Sequence, residues 1–314
     1  MAQLSFVEPN NLVQLNVAAA GAGPRLPVWL RKSETHFEAV HALKTELRLK
    51  RLHTVCESAR CPNIHECFER GAATFMILGN LCTRGCGFCS VPKGSPAKHE
   101  FALDRDEPLH VAQMAAQMGL KYVVITSVNR DDLGDGGSHH FAETVRHVKA
   151  ILPKTRVEVL TPDFCGDLEA VARILDAGPH VFNHNMETVN RLYRRVRPQA
   201  HYRQSLDVLR FAKQYRPHVT TKSGLMVGLG ESREEVYELL GDIRNADVDV
   251  STIGQYLQPT RRNLPVAEYV SPRRFEEYRE YGVSIGFKLV FSGPFVRSSY
   301  MADLVNHDAA QAHA

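Results

Sequence analysis

Short apolar runs alternate along most of this chain with longer windows in which apolar side chains recur every third or fourth position. The runs predict strands at 74–78 (TFMIL), 122–126 (YVVIT), 157–160 (VEVL), 181–183, 220–227 (TTKSGLMV), 250–256 and 288–291. The windows predict helices at 108–118, where Val111, Met114, Ala115 and Met118 share a face, and at 138–152, where Phe141, Val145, Val148 and Leu152 do. Further helices are expected at 167–177, 203–215, 232–245 and 271–281, the last opened by Ser271 as N-cap and Pro272 at the first helical position. Repeated strand–helix units imply an α/β fold with a parallel sheet and right-handed crossovers, either open and doubly wound or curled into a partial or full (β/α) barrel. Ahead of them, 35–52 reads as a helix with the capping box Thr35 and Glu38 and an apolar face of Phe37, Val40, Leu43 and Leu47. The stretches 1–25 and 303–314 are rich in small and polar residues.

Composition narrows the class. With 314 residues, 44% of them hydrophobic, the chain can bury a full core as one large α/β domain or two. No run approaches the ~18 apolar residues that span a bilayer, so no membrane association is expected. A net charge of +3 with 23% charged residues is too balanced to point to nucleic acid, although it allows an acidic macromolecular partner. Residues 1–24 lack a secretory pattern, so a cytoplasmic, reducing location is expected.

Six of the seven cysteines fall between 56 and 89, where an even spread would place fewer than one. They form two triplets: Cys56, Cys61 and Cys67, with gaps of four and five residues, then Cys82, Cys86 and Cys89, with gaps of three and two. Disulfides, zinc and iron–sulfur clusters compete as explanations. A reducing compartment disfavours disulfides, and a zinc knuckle normally pairs two C-x₂-C units or adds histidines at fixed offsets, which are missing here. Three thiolates leave one corner of a four-iron cluster without a protein ligand, and an open iron can bind substrate or cofactor. Gly85 and Gly87 let the second loop fold close to such a cluster. The predicted first strand ends just before Cys82, which places that loop where α/β folds put their active sites. The unequal gaps make the first triplet a separate centre, whose fourth ligand could be Cys165 or His65.

The sequence Cys82-Thr-Arg-Gly-Cys86-Gly-Phe88-Cys89 resembles the signature of the radical S-adenosylmethionine superfamily, C-x₃-C-x-Φ-C with an aromatic at Φ. The resemblance implies that these cysteines hold a 4Fe-4S cluster, that S-adenosylmethionine occupies its open iron, and that Phe88 lies near the adenine. Gly224-Leu-Met226-Val-Gly228-Leu-Gly-Glu231 is similar to the family's adenine-supporting segment, with Met226 in place of the usual isoleucine. In 127–137 (SVNRDDLGDGG), Asn129 belongs to the loop that in this superfamily usually meets the amino-acid end of S-adenosylmethionine.

Together, the first triplet, Arg-Cys-Pro-Asn at 60–63, Phe-Asn-His-Asn at 182–185, Gly-Gln-Tyr-Leu-Gln-Pro at 254–259 and Gly-Pro-Phe-Val-Arg-Ser-Ser-Tyr at 293–300 resemble the lipoyl synthase family. The resemblance covers roughly 30–302. It implies three regions: an extension, 1–70, carrying Cys56, Cys61 and Cys67 for an auxiliary 4Fe-4S cluster; a radical S-adenosylmethionine barrel, 71–292; and a segment, 293–314, that closes the auxiliary cluster through Ser299 or, less favoured, Ser298. The implied reaction inserts sulfur from the auxiliary cluster at C6 and C8 of a protein-bound octanoyl-lysine. Its implied partners are octanoylated carrier domains of 2-oxoacid dehydrogenases or the glycine cleavage H protein, a flavodoxin or ferredoxin as electron donor, and an iron–sulfur carrier. The basic stretch Tyr193-Arg-Arg-Val-Arg197 with Arg203 is a candidate docking face for the carrier. The rival readings are another sulfur-inserting or methylthiolating enzyme of the superfamily and a non-catalytic metal-binding protein.

Overall fold

A computed structural model describes residues 27–30, 47, 50, 52–55, 63, 67, 71–95, 103–299 and 302. Eight strands lie in one sheet in chain order: β1 (His53–Thr54), β2 (Ala72–Ile77), β3 (Tyr122–Ser127), β4 (Arg156–Leu160), β5 (Val181–Asn183), β6 (Thr220–Val227), β7 (Val250–Gln255) and β8 (Leu289–Gly293). From β2 to β8 each strand pairs parallel with the next, and only β1 runs antiparallel, placing His53 opposite Met76. β8 does not pair back to β1 or β2, so of the sequence alternatives the partial barrel is realised. The helices between strands are α1 (Glu107–Gln117), α2 (Ser138–Ile151), α3 (Leu168–Asp176), the single-turn α4 (Tyr193–Val196), α5 (Tyr202–Tyr215), α6 (Arg233–Asn245) and α7 (Pro272–Ser284).

Alternation along the strands sorts side chains into two layers. Val123 and Ile125 of β3 and Val157 and Val159 of β4 join the helix-side core with Phe141, Val145 and Val148 of α2. Each such buried side chain contributes roughly 1.5–3 kcal/mol. Tyr122 and Val124 fall in a different cluster, with Ala72 and Ala302, inside the curl of the sheet. There a polar knot forms: Lys222 Nζ lies 3.2 Å from both oxygens of Glu158, which also accept from Tyr122 Oη at 2.8 Å and Asn183 Nδ2 at 2.8 Å. Helix starts follow local chemistry, as where Ser232 and Glu235 close a capping box on α6 and Ser271 accepts from the Arg274 N–H.

The segment after β8 does not continue outward. The Val296 carbonyl presses on Gly254, where an added Cβ would lie 2.1 Å from that oxygen. Ser298 Oγ accepts from Asn185 Nδ2 at 2.6 Å and would stand 3.2 Å from a Cβ on Gly224. Ala302 is buried against Ala72, Tyr122 and Val124. This arm therefore passes from β7 over β6 toward β2 and β3 on the concave side of the sheet, and the two glycines supply its clearance. Asn63, between the second and third cysteines of the first triplet, donates to the Phe295 carbonyl at 2.7 Å and ties the N-terminal extension to the arm.

Predicted strands and helices match in order, with shifts of a few residues. The 74–78 strand begins earlier, at Ala72, and stops at Ile77 because Leu78 takes φ 68° and Gly79 φ 89°. β1 and α4 were not expected, since two residues or one turn carry no readable period. The 35–52 window lies outside the described residues except Leu47, Lys50 and Leu52, of which Leu47 and Leu52 are buried in the helix-side core.

Candidate active site

The loop carrying Cys82, Cys86 and Cys89 leaves β2 at its C-terminal end and is pinned from four directions. Cys82 exchanges backbone hydrogen bonds with the returning chain, its N–H to the Pro92 carbonyl at 2.9 Å and its carbonyl from the Gly94 N–H at 3.0 Å. Gly87 donates to the Val196 carbonyl at 2.9 Å and accepts from the Leu264 N–H at 3.0 Å. An added Cβ there would lie 2.8 Å from the Leu264 side chain, so this close approach demands glycine. Gln199 Oε1 accepts from the Gly85 N–H at 2.9 Å, and Asn263 Nδ2 donates to the Cys89 carbonyl at 2.9 Å.

Arg84 is the buried clasp of this loop. Its guanidinium reaches Asp131, after β3, at 2.7 Å and Asp163, after β4, at 2.6 Å. Burial acts to raise the Asp163 carboxyl, but Arg84's hydrogen bond and charge outweigh it and hold the group at about 2. Burial also pushes the Cys86 thiol up, and the Cys89 thiol to about 11. Such thiols become anionic ligands when a metal displaces their protons. Asn129 approaches Cys82 Sγ with its backbone N–H at 3.4 Å and its amide at 3.8 Å, while its Oδ1 is buried without a hydrogen-bond partner among the described residues. An unsatisfied acceptor beside a ligand thiol suits a ligand amine, as S-adenosylmethionine would present at the open iron.

A cavity of about 440 Å³ opens against this loop, within the usual range for small-molecule sites. Its wall combines Cys89 and Phe88 with Cys67 of the first triplet and with Ser298 and Ser299 of the arm. Both triplets thus border one space. Cys56, Cys61 and His65 lie outside the described residues. Much of the remaining wall is apolar, including Val55, Leu160, Leu225, Met226 and Val296. Ser298 is tethered by Asn185, whereas no hydrogen bond of Ser299 is found among the described residues.

Among the wall residues not singled out individually by sequence are two polar ones that organise it, Asn185 and Glu187. Glu187 takes φ 66°, a left-handed conformation costly for a side chain of this kind. Backbone hydrogen bonds to Gly224 and Met226 hold it there, and burial pushes its carboxyl up. The Asn185 amide links Glu187 Oε1, at 3.0 Å, with Ser298. Only the Phe-Asn-His-Asn stretch at a strand end hinted at them.

Other expected residues take supporting places. Met226 lines the cavity, but Glu231 turns to the backbone, accepting from the Gly228 and Leu229 N–H groups, and Gly228 sits at φ 99° against Gln255. In 127–137, Arg130 pairs with Asp132 and Asp135 caps α2, so those charges brace the loop. Cys165 is exposed, on a turn at φ 53°, 3.4 Å from Arg84 and absent from the cavity wall. The docking stretch needs correction at Arg197, which is buried and donates to the Asn185 carbonyl at 2.8 Å, because the strand-end carbonyls inside the fold require a donor.

Three thiols on the loop after the first parallel strand of a partial barrel define a protein class, and a family model agrees: residues 76–243 match the Radical SAM superfamily. Among solved structures, methylornithine synthase aligns with TM-score 0.51 at 16% identity over 87% of this chain and 86% of its own. Coproporphyrinogen III oxidase from Escherichia coli aligns with TM-score 0.52 at 12% over 71% and 56%. These likenesses concern the fold alone. Sequence relatives resolve the class further. The chain is 53% identical to a lipoyl synthase of Caldicellulosiruptor bescii over 88% of this chain and 94% of that one, and 51% identical to one of Thermus thermophilus over 91% and 88%. It belongs to the lipoyl synthase family.

Proposed function

We infer that this chain is a lipoyl synthase, a radical S-adenosylmethionine enzyme with two 4Fe-4S clusters that inserts sulfur at C6 and C8 of an octanoyl chain borne on a lipoyl carrier protein. The observation that carries this is a cavity bordered jointly by Cys89, Cys67 and the serine pair of the arm. When bound, the clusters and S-adenosylmethionine supply the electron, the primary carbon radical and the sulfur that breaking unactivated C–H bonds requires.

The chain's own residues do the rest. Cys82, Cys86 and Cys89 hold the radical-generating cluster, and Cys56, Cys61, Cys67 and Ser299 the auxiliary one. Asn129, beside Cys82, receives the amino-acid end of S-adenosylmethionine, and Phe88 and Met226 give its adenosyl part an apolar surface. The apolar wall between the thiols takes the octanoyl chain, excludes water from a reactive carbon and fixes its distance to both centres, where small misplacements are costly. Ser299 is the oxygen ligand of a largely sulfur-bound centre, a weaker match than thiolate and so one able to leave. Octanoylated E2 or H-protein domains are the proposed carriers.

Reconstituted protein incubated anaerobically with reductant, S-adenosylmethionine and an octanoyl-lysine peptide should give mono- and dithiolated peptide by mass analysis. Cys67→Ala should retain formation of 5′-deoxyadenosine and lose thiolation. Loss of both together would contradict the separation of the centres.

A further inference from the structure

Arginines on the outer helices are mostly paired, as in Arg146 with Glu143, Arg210 with Asp207 and Arg216 with Asp176. Arg194, Arg195, Arg261 and Arg262 are different: all are exposed, and none has an acidic partner among the described residues. The first two lie in the single-turn α4 and the other two in a turn after β7, and these two segments meet on one residue of the cysteine loop. Val196 accepts the Gly87 N–H and Leu264 donates to the Gly87 carbonyl, while the Arg195 carbonyl lies 3.4 Å from where a Gly87 Cβ would stand. Lys93 adds a fifth cation, donating to the Cys86 carbonyl at 2.9 Å.

We propose that this cationic rim docks an acidic one-electron carrier protein that reduces the cluster held by Cys82, Cys86 and Cys89. The reading rests on the radical function proposed above and assigns it a surface. Unpaired positive charge around one loop creates a field that speeds encounter with a negative partner. Gly85, Cys86 and Gly87 are only partly buried, so the rim is one loop away from the thiols. None of the four arginines borders the cavity, which is where an acyl chain must enter. An electron needs proximity and no opening; an acyl-lysine needs an opening. The electron passes from the reduced carrier to the oxidised cluster, which in turn spends it on cleaving the sulfonium.

The test uses the holoprotein and its Arg194→Glu/Arg195→Glu and Arg261→Glu/Arg262→Glu variants, with iron content checked for each. Formation of 5′-deoxyadenosine is measured with reduced flavodoxin and, separately, with dithionite. At low ionic strength the flavodoxin-driven rate should fall about tenfold or more, the dithionite-driven rate should be unchanged, and added salt should narrow the gap. An unchanged flavodoxin rate, or equal losses with both reductants, overturns the proposal. So does a rise in KM for an octanoylated carrier domain under dithionite, which would give the rim to the substrate protein. Failure of the unsubstituted enzyme to cleave S-adenosylmethionine with dithionite would instead sink the radical reading itself.

Discussion

Lys222 and Glu158 are fully buried side chains of opposite charge inside the sheet; Lys222 donates to both carboxylate oxygens of Glu158, which also accept from Tyr122 and Asn183. Removing one member strands a charge in low dielectric, which costs about 3–5 kcal/mol. Lys222→Met should therefore lower unfolding free energy by that order in urea titration, and Lys222→Met with Glu158→Gln should recover part of it. Asp249 shows the same physics at the sheet's end. Burial raises its carboxyl, but Lys213 at 2.8 Å, Lys288 at 2.8 Å and the Thr221 N–H together bring it below the ordinary range. Its folded state thus holds the proton less readily than the unfolded chain. The stabilisation is complete above the unfolded value near ~3.9 and drains as pH falls through the lower folded value. Asp249→Asn should lose stability at neutral pH and show a shallower fall on the acid side when midpoints are compared across pH.

Elements with a clear period were legible in the sequence, and those defined by contact were not. β2 to β8 announced themselves as short apolar runs, buried on both faces of the sheet, and the six longer helices by apolar positions recurring every three to four residues. The cysteine loop was legible for another reason, since a spacing of three and two with an aromatic serves few purposes. The route of the arm was invisible, because Gly224 read as part of an adenine-supporting segment and Gly254 as part of a family motif, and neither reading reveals Val296 and Ser298 packed against them. Arg197 was misplaced for a related reason: a run of arginines does not reveal which one turns inward. The arm's clearance gives a prediction at this scale. Gly254→Ala must displace the Val296 carbonyl, so sulfur insertion should drop at least tenfold while 5′-deoxyadenosine formation stays within about twofold. Parallel loss of both activities would mean that the substitution damages β7 rather than the arm.

At the scale of the molecule, the sheet is a curl with an open side, and loops from β3, β4, β5 and β7 reach across its mouth to the thiol loop. A cluster held by Cys82, Cys86 and Cys89 would fix the conformation of the loop to which these elements hydrogen-bond, and binding of this kind to the folded state stabilises it by mass action. Holoprotein should melt above apoprotein in anaerobic calorimetry, and Arg84→Ala should shrink the difference by freeing the loop from Asp131 and Asp163. The arm has a consequence for biosynthesis. It follows the last strand, yet its resting place is inside the curl of the first ones, so a ribosome must deliver every strand before the lumen can be filled. Until then the cavity lacks one of its walls, because Ser298 and Ser299 can join Cys67 and Cys89 around it only after β8 is in place.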